Sequence, residues 1–302
     1  ILHVIDISEN ELVELVRDIR SSLGYIKGDF RLLPLDINSL QFDAFINSIE
    51  HYDYILNLAA LKHVRSEKDP FTLMRLIEVN VLNTKKTLSI AIDKKAKKYF
   101  SVSTDKATNP TNLMGASKRV MEKILLIESE KMSISMARFA NVAFSNGSLL
   151  HGFQKRLIKR QPIACPIDIK RYFITEVEAA HLCLFSTLFG DNRDNYFPKI
   201  GKEIVSQNIS DIALRFIQSN GFKPIECATE DEARYYAKKS NWNGKWPIYF
   251  FQSDTTGEKH LEEFYSSSEK LDINKYYDIG IIKNSPIEDK LYIHEFLKQI
   301  NS

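Results

Sequence analysis

Short apolar stretches that stop on a polar or small residue, each followed by a helical stretch, recur along the first half of the chain. This alternation constrains the fold more than any other feature. Residues 1–5 form an apolar strand ending in Asp6, and Ser8 with Glu11 makes a capping box for a helix carrying Leu12, Leu15, Val16 and Ile19. Residues 32–35 close on Asp36, residues 55–58 on Ala59-Ala60, and residues 99–103 on Thr104-Asp105-Lys106. Helical stretches over 39–49, 71–95 and 112–130 lie between or after them, and a further strand spans 134–137. The repeat predicts an α/β fold, a doubly wound parallel sheet with helices on both faces.

Beyond residue 145 the pattern loosens. Short helices near 149–160, 176–189 and 207–219 alternate with short strands and the turn signals Gln161-Pro162, Asn220-Gly221 and Asn243-Gly244. Residues 146–302 are therefore expected to form mainly a smaller α/β substrate lobe on the carboxyl edge of the sheet, with some segments returning to the main sheet. Residues 1–145 read as a Rossmann-like dinucleotide-binding domain. Its first βα unit is expected to be missing: Ile1 is not an initiator Met, a strand begins at once, and the opening strand, Gly-rich turn and helix of such a domain, about 30 residues, are not in this sequence.

Composition excludes several classes of function. Forty-one basic against 39 acidic residues leave a formal charge of +2, so no overall field argues for nucleic acid or an anionic membrane. The run Lys94-Lys95-Ala96-Lys97-Lys98 reads as a solvated helix end. Cys165, Cys183 and Cys227 are far apart and no cluster has metal-ligand spacing, which predicts reduced thiols, no metal and a cytoplasmic location. The longest apolar runs are too short to span a bilayer and nothing resembles a secretion signal, so no membrane contact is expected from these residues.

Ligands of open parallel sheets bind beyond the carboxyl ends of the strands, and the candidate residues sit there. Asp6 is placed to meet ribose hydroxyls, which favours NAD over NADP by repelling a 2′-phosphate; a plain helix-start acid is the other reading, and Ser8 follows it at the cap. Asp36-Ile37 is placed to bracket an adenine ring, although an Asp at a strand end is common. Ala59-Ala60 puts small side chains where backbone must approach a cofactor or pack tightly, and Lys62 and His63 follow for phosphate or sugar. Asn80, in a helix where Asn has low propensity, is read as satisfying buried backbone groups. The sharpest feature is Asp105-Lys106, with Lys118 further on: an acid and an amine side by side can give and take protons on neighbouring atoms of one substrate. Lys106 must then be at least partly desolvated when substrate is bound.

These stretches, with Asn57-Leu58-Ala59-Ala60-Leu61-Lys62-His63-Val64, Ser103-Thr104-Asp105-Lys106-Ala107, Met114-Gly115-Ala116-Ser117-Lys118-Arg119, Arg138-Phe139-Ala140-Asn141-Val142, Arg171-Tyr172-Phe173-Ile174-Thr175 and Gly257-Glu258-Lys259, resemble an extended short-chain dehydrogenase/reductase. Over about residues 1–270 the branch resembled is the nucleotide-sugar 4,6-dehydratases of bacterial polysaccharide and glycan synthesis. The resemblance implies a substrate of the UDP-N-acetylglucosamine type and an internal redox cycle on NAD. Hydride leaves the sugar C4 and returns to C6, Lys106 removes the C5 proton, and Asp105 protonates the departing C6 hydroxyl. It further implies that Lys118 holds the nicotinamide ribose, Thr104 the C4 hydroxyl, Asn141 the substrate diphosphate region, and Arg171 and Glu258 the nucleotide end.

One departure matters. Most of the superfamily has Tyr four residues before the Lys, whereas this chain has Met114, and a thioether cannot usefully accept the C4-hydroxyl proton. Members of the resembled branch also carry Met there. Asp105, or a water held by Thr104 and Lys118, is the expected replacement. Asp6 and Met114 together lean towards retention at C5, by resemblance alone. A C5-inverting dehydratase, a C4-epimerase or 4-keto reductase, and a catalytically silent sugar-nucleotide binder stay open. Apolar residues beyond what one sheet face requires, among them Leu76, Val79, Leu82 and Leu88, predict a homodimer or larger assembly through a four-helix interface.

Overall fold

In a computed structural model, residues 1–199, 206–239, 243–253, 262–287 and 290–300 are described. The chain opens with β1 (Leu2–Asp6), α1 (Glu9–Ser22), β2 (Phe30–Pro34), α2 (Leu40–Ser48) and β3 (Tyr54–Asn57). Ser8 and Ser39 cap the two helices through their hydroxyls, as side-chain acceptors at the N-cap should. After a 3-10 turn at Val64–Lys68, α3 (Pro70–Ile77) runs through a π-turn at Glu78–Leu82 into α4 (Asn83–Asp93), then β4 (Lys98–Thr104), a 3-10 turn at Asp105–Ala107, α5 (Leu113–Glu128) and β5 (Ser133–Phe139).

The second half supplies β6 (Asn141–Val142), α6 (Leu149–Ile158), β7 (Ile163–Pro166), β8 (Lys170–Arg171), β9 (Phe173–Ile174), α7 (Glu176–Phe189) and β10 (Asp194–Pro198). It continues with β11 (Gln207–Asn208), α8 (Ile209–Ser219), β12 (Lys223–Cys227), α9 (Glu230–Lys238), β13 (Lys245–Phe251), β14 (Leu271–Asp272), β15 (Ile279–Lys283) and α10 (Leu291–Ile300).

The central sheet has the order β14-β15-β10-β5-β4-β3, parallel from β3 to β10 and antiparallel at β15 and β14. It is an α/β sheet sandwiched by helices. On one face Tyr99, Ile134 and Met136 pack with Leu88, Met121 and Leu125 of α4 and α5; on the other, Phe100, Ala137 and Tyr196 pack with Leu182 and Cys183 of α7. Adjacent residues of β4 thus go to opposite faces, and the strand reads as a continuous apolar run because both are covered. A second sheet, β12-β13-β7, is parallel and buries Cys165, Ile163, Trp246 and Ile248 under α6 and α8.

Two features depart from a single doubly wound sheet. β1 and β2 form their own two-stranded parallel ladder, and among the described residues no ladder joins β1 to β3. What ties them is side-chain chemistry: His3 bonds the Tyr52 hydroxyl at 2.7 Å and Asp29 at 3.2 Å. The other feature is α10, whose Ile293 and Leu297 lie on Val81, Ile124 and Ile127. Of the residues expected to face a dimer partner, Leu76 and Leu88 are buried at 0% and 1% exposure within the subunit itself. Among the described residues no helix is long and apolar enough to cross a membrane. The three cysteines are all buried, and burial pushes the Cys165 and Cys183 thiols up to about 12.

Candidate active site

The carboxyl end of β4 is where the site is built. Its last residue, Thr104, caps the 3-10 turn that follows by accepting from the Lys106 amide, and its hydroxyl donates to Asp105 Oδ1 at 2.7 Å. Lys106 Nζ lies 3.2 Å from both oxygens of Asp105. Asp105 is 2% exposed and the Lys106 side chain 28%, so the acid is sealed in while the lysine side chain stays partly open to solvent. Burial disfavours the Lys106 ammonium, but the carboxylates of Asp105 and Glu262 outweigh it and raise its pKa above the ordinary lysine value.

Helix α5 is held against this turn by close contacts. Asn112 caps it by accepting from the Gly115 amide at 2.8 Å, and the carboxylate of Glu67 accepts from the Leu113 amide at 2.7 Å, a favourable place for an anion. Gly115 passes so near the turn that an added Cβ would sit 2.4 Å from the Lys106 carbonyl oxygen. Met114 and Lys118 follow one helical turn apart, both buried, at 2% and 4% exposure. Lys118 Nζ donates to the Val102 carbonyl at 3.1 Å, and burial lowers its pKa to about 8, only partly offset by Glu122.

Behind the site Ser103 donates to Glu122 at 2.6 Å, and Arg138 grips both oxygens of Glu122 at 2.7 Å each. Arg138 also reaches Glu269, Thr108 and the Phe264 carbonyl, so one buried guanidinium joins β5, α5 and the 262–275 stretch.

Two short ladders bring the second half of the chain to this point. β6 pairs with β9 and places Asn141; β8 pairs with β11 and places Arg171. Both converge on Glu262, a residue the sequence reading did not single out. Glu262 Oε1 accepts from Asn141 at 2.8 Å and lies 3.3 Å from Arg171 Nε and 3.4 Å from Lys106 Nζ, while Oε2 accepts from the Tyr172 amide at 3.2 Å. Thr104, Asp105, Lys106, Asn141 and Arg171 therefore form one cluster. Glu258 lies outside the described residues.

The remaining candidates stand at the ends of β1, β2 and β3, apart from that cluster. Asp6 accepts from the Ser8 amide at 2.8 Å, and Ser8 caps α1. Asp36 accepts from the Asn38 amide at 2.8 Å and pairs with Arg75 at 3.2 Å, which together hold its pKa below the usual range. The Ile37 carbonyl accepts from Lys86 at 2.7 Å. The Ala59-Ala60 loop is fixed by Asn80, whose amide bonds both the N–H and the C=O of Leu61 at 3.0 and 2.9 Å and also Ser117 at 3.0 Å, as expected for a helical Asn serving buried backbone. Lys62 reaches Ser145 at 3.4 Å, and His63 lies against Gly147. Burial lowers the pKa of both, so His63 is neutral at pH 7.

These strand ends fit part of a dinucleotide. The carboxylate of Asp6 suits ribose hydroxyls, the exposed apolar side chains of Ile7 and Leu58 flank the same edge, and Lys118 offers a buried amine near the end of β4. Among the described residues no Gly-rich turn joins a strand to a helix as a pyrophosphate cradle would.

The arrangement is a Rossmann-type α/β fold, shared with solved structures of low sequence identity. The chain is similar to Pen from Bacillus thuringiensis, with a TM-score of 0.73 at 21% identity over 99% of this chain and 89% of that one. It is also similar to the dTDP-glucose 4,6-dehydratase DesIV from Streptomyces venezuelae, solved as a double mutant with NAD bound, with a TM-score of 0.62 at 14% identity over 87% and 83%. More particularly, the chain belongs to the polysaccharide biosynthesis protein family, whose profile matches residues 1–284.

Among curated relatives it is 29% identical over 235 residues to an uncharacterized membrane protein of Methanocaldococcus jannaschii, covering 74% of this chain and 66% of that one. It is 32% identical over 228 residues to the capsular polysaccharide biosynthesis protein CapD of Staphylococcus aureus, covering 74% of this chain but 37% of that one. To the UDP-glucose 4-epimerase of Rickettsia rickettsii it is 29% identical, over 82% of this chain and 70% of that one. The chain thus spans less than two thirds of the first two relatives, and little more than a third of CapD.

Proposed function

We propose that this chain catalyses NAD-dependent 4,6-dehydration of a nucleotide-activated N-acetylhexosamine, UDP-N-acetylglucosamine first among them, to a 4-keto-6-deoxy sugar nucleotide with C5 retained. The observation that carries the reading is the contact of Lys106 Nζ with Asp105 at the end of β4, beside Thr104. NAD, when bound, supplies a hydride acceptor for C4 and a hydride donor for C6; Asp6, Ala59, Ala60, Lys62 and Lys118 are the residues proposed to hold it.

Each side chain then has a proton task. The hydroxyl of Thr104, donating to Asp105 at 2.7 Å, gives the C4-hydroxyl proton a route to that carboxylate and replaces the phenol that Met114 lacks. Asp105 delivers the proton to the departing C6 oxygen. Lys106 takes the C5 proton and, after exchange with solvent, protonates C5 again. Asn141, Arg171 and His63 are proposed to hold the nucleotide sugar. Self-association through α4 and α5, as a homodimer or larger, belongs to the same proposal, and light scattering at micromolar concentration checks it.

The epimerase similarity favours a second reading, C4 epimerisation, which needs no acid–amine pair. Incubation with UDP-N-acetylglucosamine and NAD in D2O, followed by NMR, separates them. The dehydratase gives a 4-keto product that has lost O6 and carries solvent deuterium at C5. A 4-epimer without deuterium at C5 would overturn the first reading, and inverted C5 would overturn retention alone.

A further inference from the structure

Two buried carboxylates face one amine in this site, and only one of them has a task so far. On the dehydratase reading, on which this inference rests, Asp105 receives the C4-hydroxyl proton through Thr104 and spends it on the C6 oxygen. Lys106 must meet the C5 proton as a neutral amine, yet Asp105 at 3.2 Å and Glu262 at 3.4 Å both favour its ammonium form. Its proton therefore needs an acceptor other than Asp105.

We propose that Glu262 is a positioning residue that takes the proton of Lys106 and holds it while Lys106 acts as the C5 base. The side chain is 3% exposed, so a proton placed there is shielded from bulk water. Asn141 and the Tyr172 amide fix the carboxyl group by one hydrogen bond to each oxygen, and Oε1 is the oxygen that faces Lys106. The charged groups around it are Lys106, Asp105 and Arg171, from the β4 turn and from β8. Burial and the nearby Asp105 raise the Glu262 pKa above the ordinary glutamate value, with Lys106, Arg171 and Asn141 opposing, so this carboxylate is a better proton acceptor than an exposed one.

The protons balance. One passes from Lys106 Nζ to Glu262 Oε1, and the resulting amine takes a proton from C5. The Lys106 ammonium, 28% exposed and so able to exchange its hydrogens with solvent, gives one back to C5 as hydride reaches C6. The C4-hydroxyl proton leaves with O6 as water, and Lys106 and Glu262 end as they stood once the amine had formed.

The test compares Glu262→Gln and Glu262→Asp with the wild-type chain, using UDP-N-acetylglucosamine. Glutamine keeps a carbonyl oxygen for Asn141 but cannot take a proton. Its kcat is expected to fall on the order of 100-fold with KM within about 3-fold, and the acidic limb of the pH profile to move to higher pH, since Lys106 must then lose its proton to solvent. Aspartate is expected to recover part of the rate and the original limb. Glutamine with unchanged kcat and pH profile would overturn the proposal, as would loss of rate in both variants with the profile in place.

A second readout needs no substrate. The Lys106 Nζ signal, followed by 15N-lysine NMR, is expected to titrate at lower pH in Glu262→Gln, and an unmoved titration would overturn the coupling. Absence of any 4-keto product from the wild type would overturn the dehydratase reading and the catalytic role of Glu262 with it, whereas the NMR shift would still show whether the pair shares a proton.

Discussion

A methyl group at position 115 would collide with backbone, the Lys106 carbonyl oxygen 2.4 Å away. Ala in place of Gly gains about 1 kcal/mol in an open helix interior. Here it must push the Asp105–Ala107 turn off α5. Gly115→Ala is expected to cost about 1–3 kcal/mol in urea unfolding and most of the turnover in the D2O assay; full activity with unchanged stability would show that the turn does not depend on this approach. Individual residues were legible in the sequence to different degrees. Asp105 and Lys106 are adjacent in the chain, and Asn80 declared itself by being an Asn inside a helix. Glu262 gave no comparable signal, because its partners lie 90 to 156 positions away and only the β6–β9 and β8–β11 ladders assemble them. Glu67 was likewise invisible: its task, capping the start of α5 from 46 positions upstream, leaves no local pattern.

Helices and strands were read more easily than single contacts, since β4 and β5 owe their apolar runs to helices on both sides, and α1, α2 and α7 carry side-chain caps. The long helical stretch read over residues 71–95 runs unbroken from Pro70 to Asp93 as α3, a π-turn and α4, with Asn80 inside the π-turn where its amide serves Leu61. α10 was not foreseen. It covers part of the helical face that apolar excess had assigned to a partner, and it does so loosely: a cavity of about 310 Å³ lies between α4, α5 and α10, lined by Lys85, Ile124, Ile127, Glu128, Ile293, Leu297 and Lys298. Burying Ile293 and Leu297 is worth roughly 3–5 kcal/mol. Ending the chain at residue 286 uncovers Val81, Ile124 and Ile127, and is expected to increase self-association in light scattering; an unaltered mass distribution would count against this face as an interaction surface.

For the molecule as a whole, the buried Glu122–Arg138–Glu269 network ties β4 and β5 to the stretch that carries Glu262 and Phe264. Burial alone would raise the Glu122 pKa, but Arg138, Arg119 and Ser103 bring it down to about 2 from 4.5. A depressed carboxylate contributes stability above its unfolded pKa, and that contribution is lost as pH falls from about 4.5 towards 2. The amount is on the order of 3 kcal/mol. Glu122→Gln is expected to be less stable than wild type at pH 7 and to show a flatter loss of stability between pH 4.5 and 2.5 in urea titrations; parallel pH curves would remove Glu122 from the acid response. At this scale the sequence foretold the α/β class. It did not foretell the separation of the β1–β2 ladder from the central sheet, because ladder partners are set by which strands lie side by side, not by the pattern within any one of them.

The sealed cysteines turn the molecule into its own reporter of motion. Cys165 and Cys227 belong to the β12-β13-β7 sheet, and Cys183 to the α7 layer over the central one. A maleimide reaches each only when its surroundings part, so the order in which the three are alkylated ranks how readily the two regions breathe.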